Sequence, residues 1–129
     1  MSTAYYALFH LAARNCADTL IGSSKAGRSR HAWAEVYRAL AHGAAKAACG
    51  DRAVIARFPP PIVAFADAFV ELQAKRHMAD YDPYAVFEKS AVSVHIDVAE
   101  RVMRNFATAP AKDRCAFASW LLFRNPIRR

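Results

Sequence analysis

The stretch PIVAFADAFVELQAKRHMADY, residues 61–81, decides the fold class, because its large apolar residues recur at the spacing of an α-helix. One helical face carries, in order, Ile62, Phe65, Phe69 and Leu72. The proline triplet at 59–61 can lead into a helix but cannot lie inside one, and Pro83 marks the helix end. Because an apolar face must be covered by other elements, the stretch predicts one helix of a packed helical domain.

The same periodicity predicts three or four more amphipathic helices along the chain. They are a first helix that stops at Gly22, a second over about 31–48 that Gly50 closes, a fourth over about 90–107, and a last helix that starts at Pro110. The segment VSVHIDV at 92–98 alternates like a strand, but it continues into AERVMRNF and is better explained as part of one helix. Four or five amphipathic helices with short loops predict an all-α, antiparallel (up-and-down) helical bundle. With no internal repeat, residues 1–129 are expected to form a single domain.

Composition restricts the class of protein. With 129 residues, 55% of them hydrophobic, the chain can bury a core of its own, which excludes a mainly disordered protein. Charges interrupt every apolar run before the about 18 residues that a membrane span needs, and the start MSTAYYALFH lacks the basic opening of a signal peptide. We therefore expect a cytoplasmic protein without a membrane partner. The net charge of +7 comes mostly from arginine, whose planar guanidinium suits phosphate, and it favours RNA, a nucleotide or an acidic protein as partner.

Arg76 occupies the next position on the apolar face of the third helix, after Leu72. A charge there needs a partner, because removing one member of a buried ion pair costs about 3–5 kcal/mol. Asp80 lies one helical turn later and is the nearest partner by spacing. Two interpretations follow: the pair locks the helix end, or Arg76 also binds a phosphate or a partner chain.

Tyr6 and His10 lie four positions apart in the first helix and therefore share a face, next to Tyr5. A histidine there could act as a general acid or base, or it could be half-buried and make one structural hydrogen bond. A separate basic run in the loop at 22–30 consists of Lys25, Arg28 and Arg30. This run could follow a phosphate backbone, or it could be an ordinary solvated loop.

The remaining histidines and the cysteines do not form familiar sites. His31, His42, His77 and His95 match no metal-ligand spacing, so we expect neither a metal nor a cofactor. The three cysteines, Cys16, Cys49 and Cys115, form no CxxC pair and lie among small apolar residues, so we expect them to be buried side chains.

Two stretches, STAYYALFH at 2–10 and RHMADYDP at 76–83, resemble the HEPN-domain proteins of the small prokaryotic kind. The first is similar to the recurrent AYYAxFH helix of that family, and the second to its R-x-x-ADY helix end, within a resemblance that spans roughly residues 2–107. The resemblance implies an up-and-down bundle, often a homodimer, associated with toxin–antitoxin, defence or RNA-processing systems. A cognate antitoxin or a nucleotidyltransferase-like protein would then be a partner. The implied binding site consists of Tyr6, His10, Arg76, Asp80 and Tyr81.

Active members of that family are metal-independent ribonucleases with an R-x(4–6)-H motif, in which arginine steadies the phosphate and histidine assists the 2′-hydroxyl. The closest approach in this chain is RALAH, where three residues separate Arg38 from His42, although the two would share a helical face. The sequence therefore favours a bundle that binds RNA, a nucleotide or a protein partner without an intact ribonuclease motif. The alternative is a metal-independent endoribonuclease toxin that uses Arg38 and His42, or His10 and Arg76 brought together in space.

Overall fold

The computed structural model describes residues 2–81 and 89–124, and the side chains of 3–78 and 92–124. These residues form α-helices and no strand, which confirms the all-α class. The helices are α1 (Ser2–Ile21), α2 (Arg30–Ala39), α3 (His42–Cys49), α4 (Arg52–Ile55), α5 (Pro60–Tyr81), α6 (Lys89–Phe106) and α7 (Ala111–Phe123). The antiparallel order of the bundle stays a prediction. No helix among the described residues has both the length and the apolar character that crossing a membrane requires.

Helix α1 lies at the centre of the packing, because it contacts α2, α5, α6 and α7. Its buried face combines three large side chains, Tyr5, Leu8 and Phe9, with several alanines that let neighbouring helices approach closely. The apolar face of α5 is buried as its spacing predicts, with Phe65 and Phe69 fully covered. Phe117 of α7 meets Phe65 edge-on, with ring centroids 6.0 Å apart, and so connects the last helix to the same core.

The prediction of one continuous helix over about 31–48 is wrong, because the chain turns between α2 and α3. Leu40 and Ala41 have extended backbone, with φ/ψ of −71°/120° and −96°/144°. The turn lets the Leu40 side chain enter the core, where it is 5% exposed, and directs α3 against α5 and α7. Neither residue is a glycine or a proline, and the nearest glycine, Gly43, lies two residues later, inside α3. The short α4 was also not predicted; Asp51 caps it by accepting a hydrogen bond from the backbone of Val54 at 3.4 Å.

Several helix ends are confirmed. Helix α1 ends at Ile21, and Gly22 adopts a φ of 125°, which a residue with a Cβ rarely tolerates. Helix α6 begins and ends one residue before its predicted bounds of about 90 and 107, and α7 begins one residue after Pro110. Pro83 lies outside the described residues.

The cysteines divide into two environments. Cys16 and Cys49 are buried, and burial raises the pKa of both thiols to about 12. The prediction of burial is wrong for Cys115, which is exposed. It lies on the outer side of α7, whose buried side carries Phe117 and Leu121.

Candidate functional site

Side chains from three helices meet around the ring of Tyr6 in α1. The imidazole centroids of His10 and His42 lie 6.3 and 5.9 Å from the centroid of the Tyr6 ring. The guanidinium carbon of Arg76 lies 5.1 Å from the same centroid. Three side chains that carry or can carry positive charge are therefore gathered at one place, and we call them, with Tyr6, the Tyr6 cluster.

Each member reaches the Tyr6 cluster for a local reason. His10 follows Tyr6 by one helical turn of α1, so the two share a face. His42 is the first residue of α3 and is carried there by the turn at Leu40. Arg76 continues the apolar face of α5 and is half-buried, as the sequence predicts.

Both imidazoles are held through Nδ1 by tyrosine hydroxyls. The Tyr5 hydroxyl lies 2.6 Å from Nδ1 of His42, and the Tyr37 hydroxyl lies 2.7 Å from Nδ1 of His10. The hydroxyl donates when Nδ1 carries no proton and accepts when it does. His42 also stacks on Phe9, with centroids 3.8 Å apart and planes 13° apart. With Nδ1 engaged, Nε2 is the ring nitrogen that remains for a ligand or a proton transfer.

The guanidinium of Arg76 lies over two aromatic rings. Its guanidinium carbon lies 5.4 Å from the centroid of Tyr5 and 5.1 Å from that of Tyr6, both within the range of a cation–π contact. The contact keeps a permanent positive charge beside the histidines. The structure therefore brings Arg76 together with His10 and Tyr6, three of the predicted site residues.

Burial and the positive charges of the Tyr6 cluster shift the pKa values of His42 and of the neighbouring Tyr5. The pKa of His42 is lowered from its usual 6.5, first by partial burial and then by the positive charges of Arg76 and His10. Burial raises the pKa of Tyr5 to about 12, and Arg76 opposes part of that rise. At neutral pH His42 is therefore an uncharged base and the Tyr5 hydroxyl keeps its proton. A bound anion would act in the opposite direction and raise the pKa of His42.

One prediction about the site residues is wrong, and another stays a prediction. Arg38 and His42 do not share a helical face, because α2 ends at Ala39, and Nη2 of Arg38 instead lies 3.3 Å from Oε1 of Glu35. The side chains of Asp80 and Tyr81 lie outside the described part of the chain, so the pairing of Arg76 with Asp80 stays a prediction. Within the described residues, no group of three or more His, Cys, Asp or Glu side chains is placed to hold a metal ion.

Sequence reasoning missed two contributors to this site. Tyr37 is not among the predicted site residues, yet its hydroxyl lies 2.7 Å from Nδ1 of His10. The sequence pairs His42 with Arg38, yet in the structure His42 lies beside the same Tyr6 ring as His10, which is 32 positions earlier in the sequence. The spacing of Tyr6 and His10 was a usable signal, whereas no spacing rule connects His42 to them. The chain matches no known protein-family model, and neither a curated protein nor a solved structure shows significant similarity to it.

Proposed function

We propose that the Tyr6 cluster binds phosphate groups of RNA or of a nucleotide, in a HEPN-like helical protein. The observation that carries the proposal is the meeting of Arg76, His10 and His42 around one tyrosine ring, within about 6 Å of its centroid. Arginine binds phosphate through parallel hydrogen bonds, and histidines add charge when they are protonated. The net charge of +7 favours the approach of a polyanion.

The HEPN-like part of the proposal is supported by where its two motifs lie in the fold. The AYYAxFH-like stretch supplies Tyr6 and His10, and the R-x-x-ADY-like stretch supplies Arg76. These stretches are about 70 residues apart, yet they contribute to the same cluster. Motifs that meet at one partly exposed site, with a permanent positive charge on Arg76, favour a shared role in binding over two unrelated packing roles.

Fluorescence anisotropy with a labelled single-stranded RNA tests the proposal. Arg76→Gln is expected to weaken binding roughly tenfold to a hundredfold, because a hydrogen bond to a charged group contributes about 1.5–3 kcal/mol. Arg38→Gln is the matched control, since Arg38 is exposed and pairs with Glu35. Absence of RNA and nucleotide binding by the unchanged protein, or an equal loss in both variants, contradicts the proposal.

A second candidate function is metal-independent cleavage of RNA, favoured by the two imidazoles fixed through Nδ1. One imidazole would remove the proton of a ribose 2′-hydroxyl, whose oxygen attacks the adjacent phosphorus. The other would donate a proton to the departing 5′-oxygen, and Arg76 would stabilise the charge on the phosphoryl oxygens. The products are a 2′,3′-cyclic phosphate and a 5′-hydroxyl end.

Incubation of the pure protein with RNA in a metal chelator separates the two candidates. Cleavage that is lost in His10→Gln and in His42→Gln, but kept in His31→Gln, supports the enzyme. RNA that is bound and remains intact supports binding alone.

A homodimer, and a cognate antitoxin or nucleotidyltransferase-like partner, belong to the same HEPN-like proposal. Met78 on α5 and Val94 on α6 are 46% and 57% exposed, and these two helices contact each other. A second chain that covers these side chains would remove apolar surface from water. Light scattering after size exclusion gives the oligomeric state, and Met78→Lys is expected to convert a dimer into a monomer. A protein that is already a monomer without the substitution contradicts the dimer.

A further inference from the structure

A second basic site lies at the loop between α1 and α2. A cavity of about 360 Å³ is lined there by Lys25, Arg28, Arg30, Trp33 and Ala34. The loop supplies two of the cations, and the first turn of α2 supplies the third. We call this cavity the loop pocket.

The loop pocket is built around a fixed arginine. Nη1 of Arg28 donates to Oδ1 of Asp18 and to the carbonyl oxygen of Gly22, both at 3.0 Å. Its guanidinium carbon lies 4.5 Å from the ring centroid of Trp33, whose Nε1 donates to the same Asp18 oxygen at 2.9 Å. The Arg28 side chain is 11% exposed. This arrangement holds the wall of the pocket in place before any ligand binds.

The charge of the loop pocket remains positive after its internal pairing. Asp18 neutralises Arg28, while Lys25 and Arg30 are exposed at the rim. Helix α2 begins at Arg30, Ser29 caps it, and its first turn contains no acidic residue. The positive end of the helix dipole therefore adds to the two side-chain charges. The ligand that fits this chemistry is an anion with several oxygens, such as a phosphate group.

One aromatic ring separates the loop pocket from the Tyr6 cluster. The ring of Trp33 lies 5.2 Å from that of Tyr37, with planes 27° apart. The ring of Tyr37 lies 6.0 Å from that of His10, with planes 11° apart. Trp33, Tyr37 and His10 therefore form a row of adjacent rings that extends from the loop pocket to the Tyr6 cluster. One extended molecule could follow this row and contact both sites.

We infer that the loop pocket binds a further phosphate of the same single-stranded RNA whose first phosphate lies at the Tyr6 cluster. The inference rests on the proposed function. Unpaired nucleotides suit the row between the sites. The ring faces of Trp33 and Tyr37 already pack on each other, on Arg28 and on His10. Both side chains are half-exposed, and their edges can contact the bases of a single strand but not those inside a duplex. The basic loop would therefore set the length of RNA that the protein prefers.

Anisotropy with labelled oligouridylates, from a dinucleotide to an octanucleotide, tests the inference. Affinity is expected to rise with length until both sites are occupied and then to become constant. The double variant Lys25→Gln/Arg30→Gln should bind the dinucleotide as the unchanged protein does, yet lose the gain with length. Its salt slope on the octanucleotide should fall by about 0.7, since the loop pocket holds one further phosphate and each single-strand phosphate contact contributes about 0.7. Arg104→Gln/Lys112→Gln is the control with the same change in charge on exposed positions of α6 and α7.

The outcomes separate the inference from the proposed function. A gain with length that persists in Lys25→Gln/Arg30→Gln, or that disappears equally in the control, overturns the inference and leaves binding at the Tyr6 cluster standing. Equal affinity for a duplex of the same length overturns the single-stranded path. Loss of dinucleotide binding in Arg76→Gln supports the proposed function, and no dinucleotide binding by the unchanged protein contradicts that function and the inference with it.

Discussion

The phenolic oxygen of Tyr5 lies 2.6 Å from Nδ1 of His42, and this hydrogen bond joins the centre of the core to the candidate site. Tyr5 is completely buried, whereas His42 is only partly covered at the start of α3. The hydroxyl keeps its proton because burial raises the pKa of Tyr5 to about 12. A change in the packing of α1 against α3 would therefore alter the position of an imidazole that we assign to phosphate binding.

Removal of this hydroxyl should lower stability and release His42. Tyr5→Phe keeps the ring contacts with Phe9 and Phe69 but removes the hydrogen bond, so we expect the free energy of unfolding to fall by about 1 kcal/mol. Urea unfolding followed by circular dichroism measures this change. Tyr37→Phe is the matched control, because it also removes a tyrosine hydroxyl, but one that is bonded to His10 and not to His42. An unchanged free energy for Tyr5→Phe would show that the hydroxyl contributes nothing net.

The pKa of His42 should lie below its usual value, because burial, Arg76 and His10 all disfavour the imidazolium. Arg76→Gln should raise this pKa towards 6.5, and inorganic phosphate or RNA should raise it in the unchanged protein. Titration of the imidazole protons by NMR measures each value. A pKa of His42 at or above its usual 6.5 would contradict the positive potential assigned to the cluster.

The same pKa predicts how stability depends on pH. His42 binds a proton less readily in the folded chain than in the unfolded chain, so its contribution is constant above the unfolded pKa of about 6.5. As the pH falls below that value, the unfolded state takes up the proton first and the free energy of unfolding decreases. Comparing the unchanged protein with His42→Gln by urea unfolding at several pH values isolates this effect, and a His42→Gln variant with the same decrease would argue against it.

The turn between α2 and α3 should depend on the burial of Leu40. Leu40→Ala removes a side chain that is 5% exposed, and we expect a loss of about 2–5 kcal/mol in the free energy of unfolding. Arg38→Ala, two positions earlier and exposed, should change it by less than about 0.5 kcal/mol. Thermal or urea unfolding of both variants tests this, and a mild effect of Leu40→Ala would mean that the turn is not anchored in the core.

The thiols should react in two classes. Cys115 is exposed, whereas Cys16 and Cys49 are buried with pKa values raised to about 12. A thiol reagent such as Ellman's reagent should therefore modify Cys115 quickly in the native protein and the other two only after unfolding. Rapid modification of all three in the native state would contradict the packing of α1 against α7 around Cys16. The Cys115→Ser variant identifies the fast class.

Local spacing in the sequence determined most of the long helices and one half of the site. The apolar face of α5, the end of α1 at Gly22, and the shared face of Tyr6 and His10 follow from steps of three and four residues, which a helix converts directly into position. Arg76 was notable for the same reason, since it continues an apolar face. These features need no knowledge of what packs against them.

Tertiary structure alone decided the break at Leu40 and the arrival of His42. Residues 31–48 keep helical periodicity throughout, so only the burial of Leu40 and the packing of α3 against α5 and α7 make two helices more favourable than one. That turn carries His42 to Tyr5, 37 positions away in sequence, and into a site with Arg76. A contact over such a separation depends on how helices pack, which residue spacing does not encode.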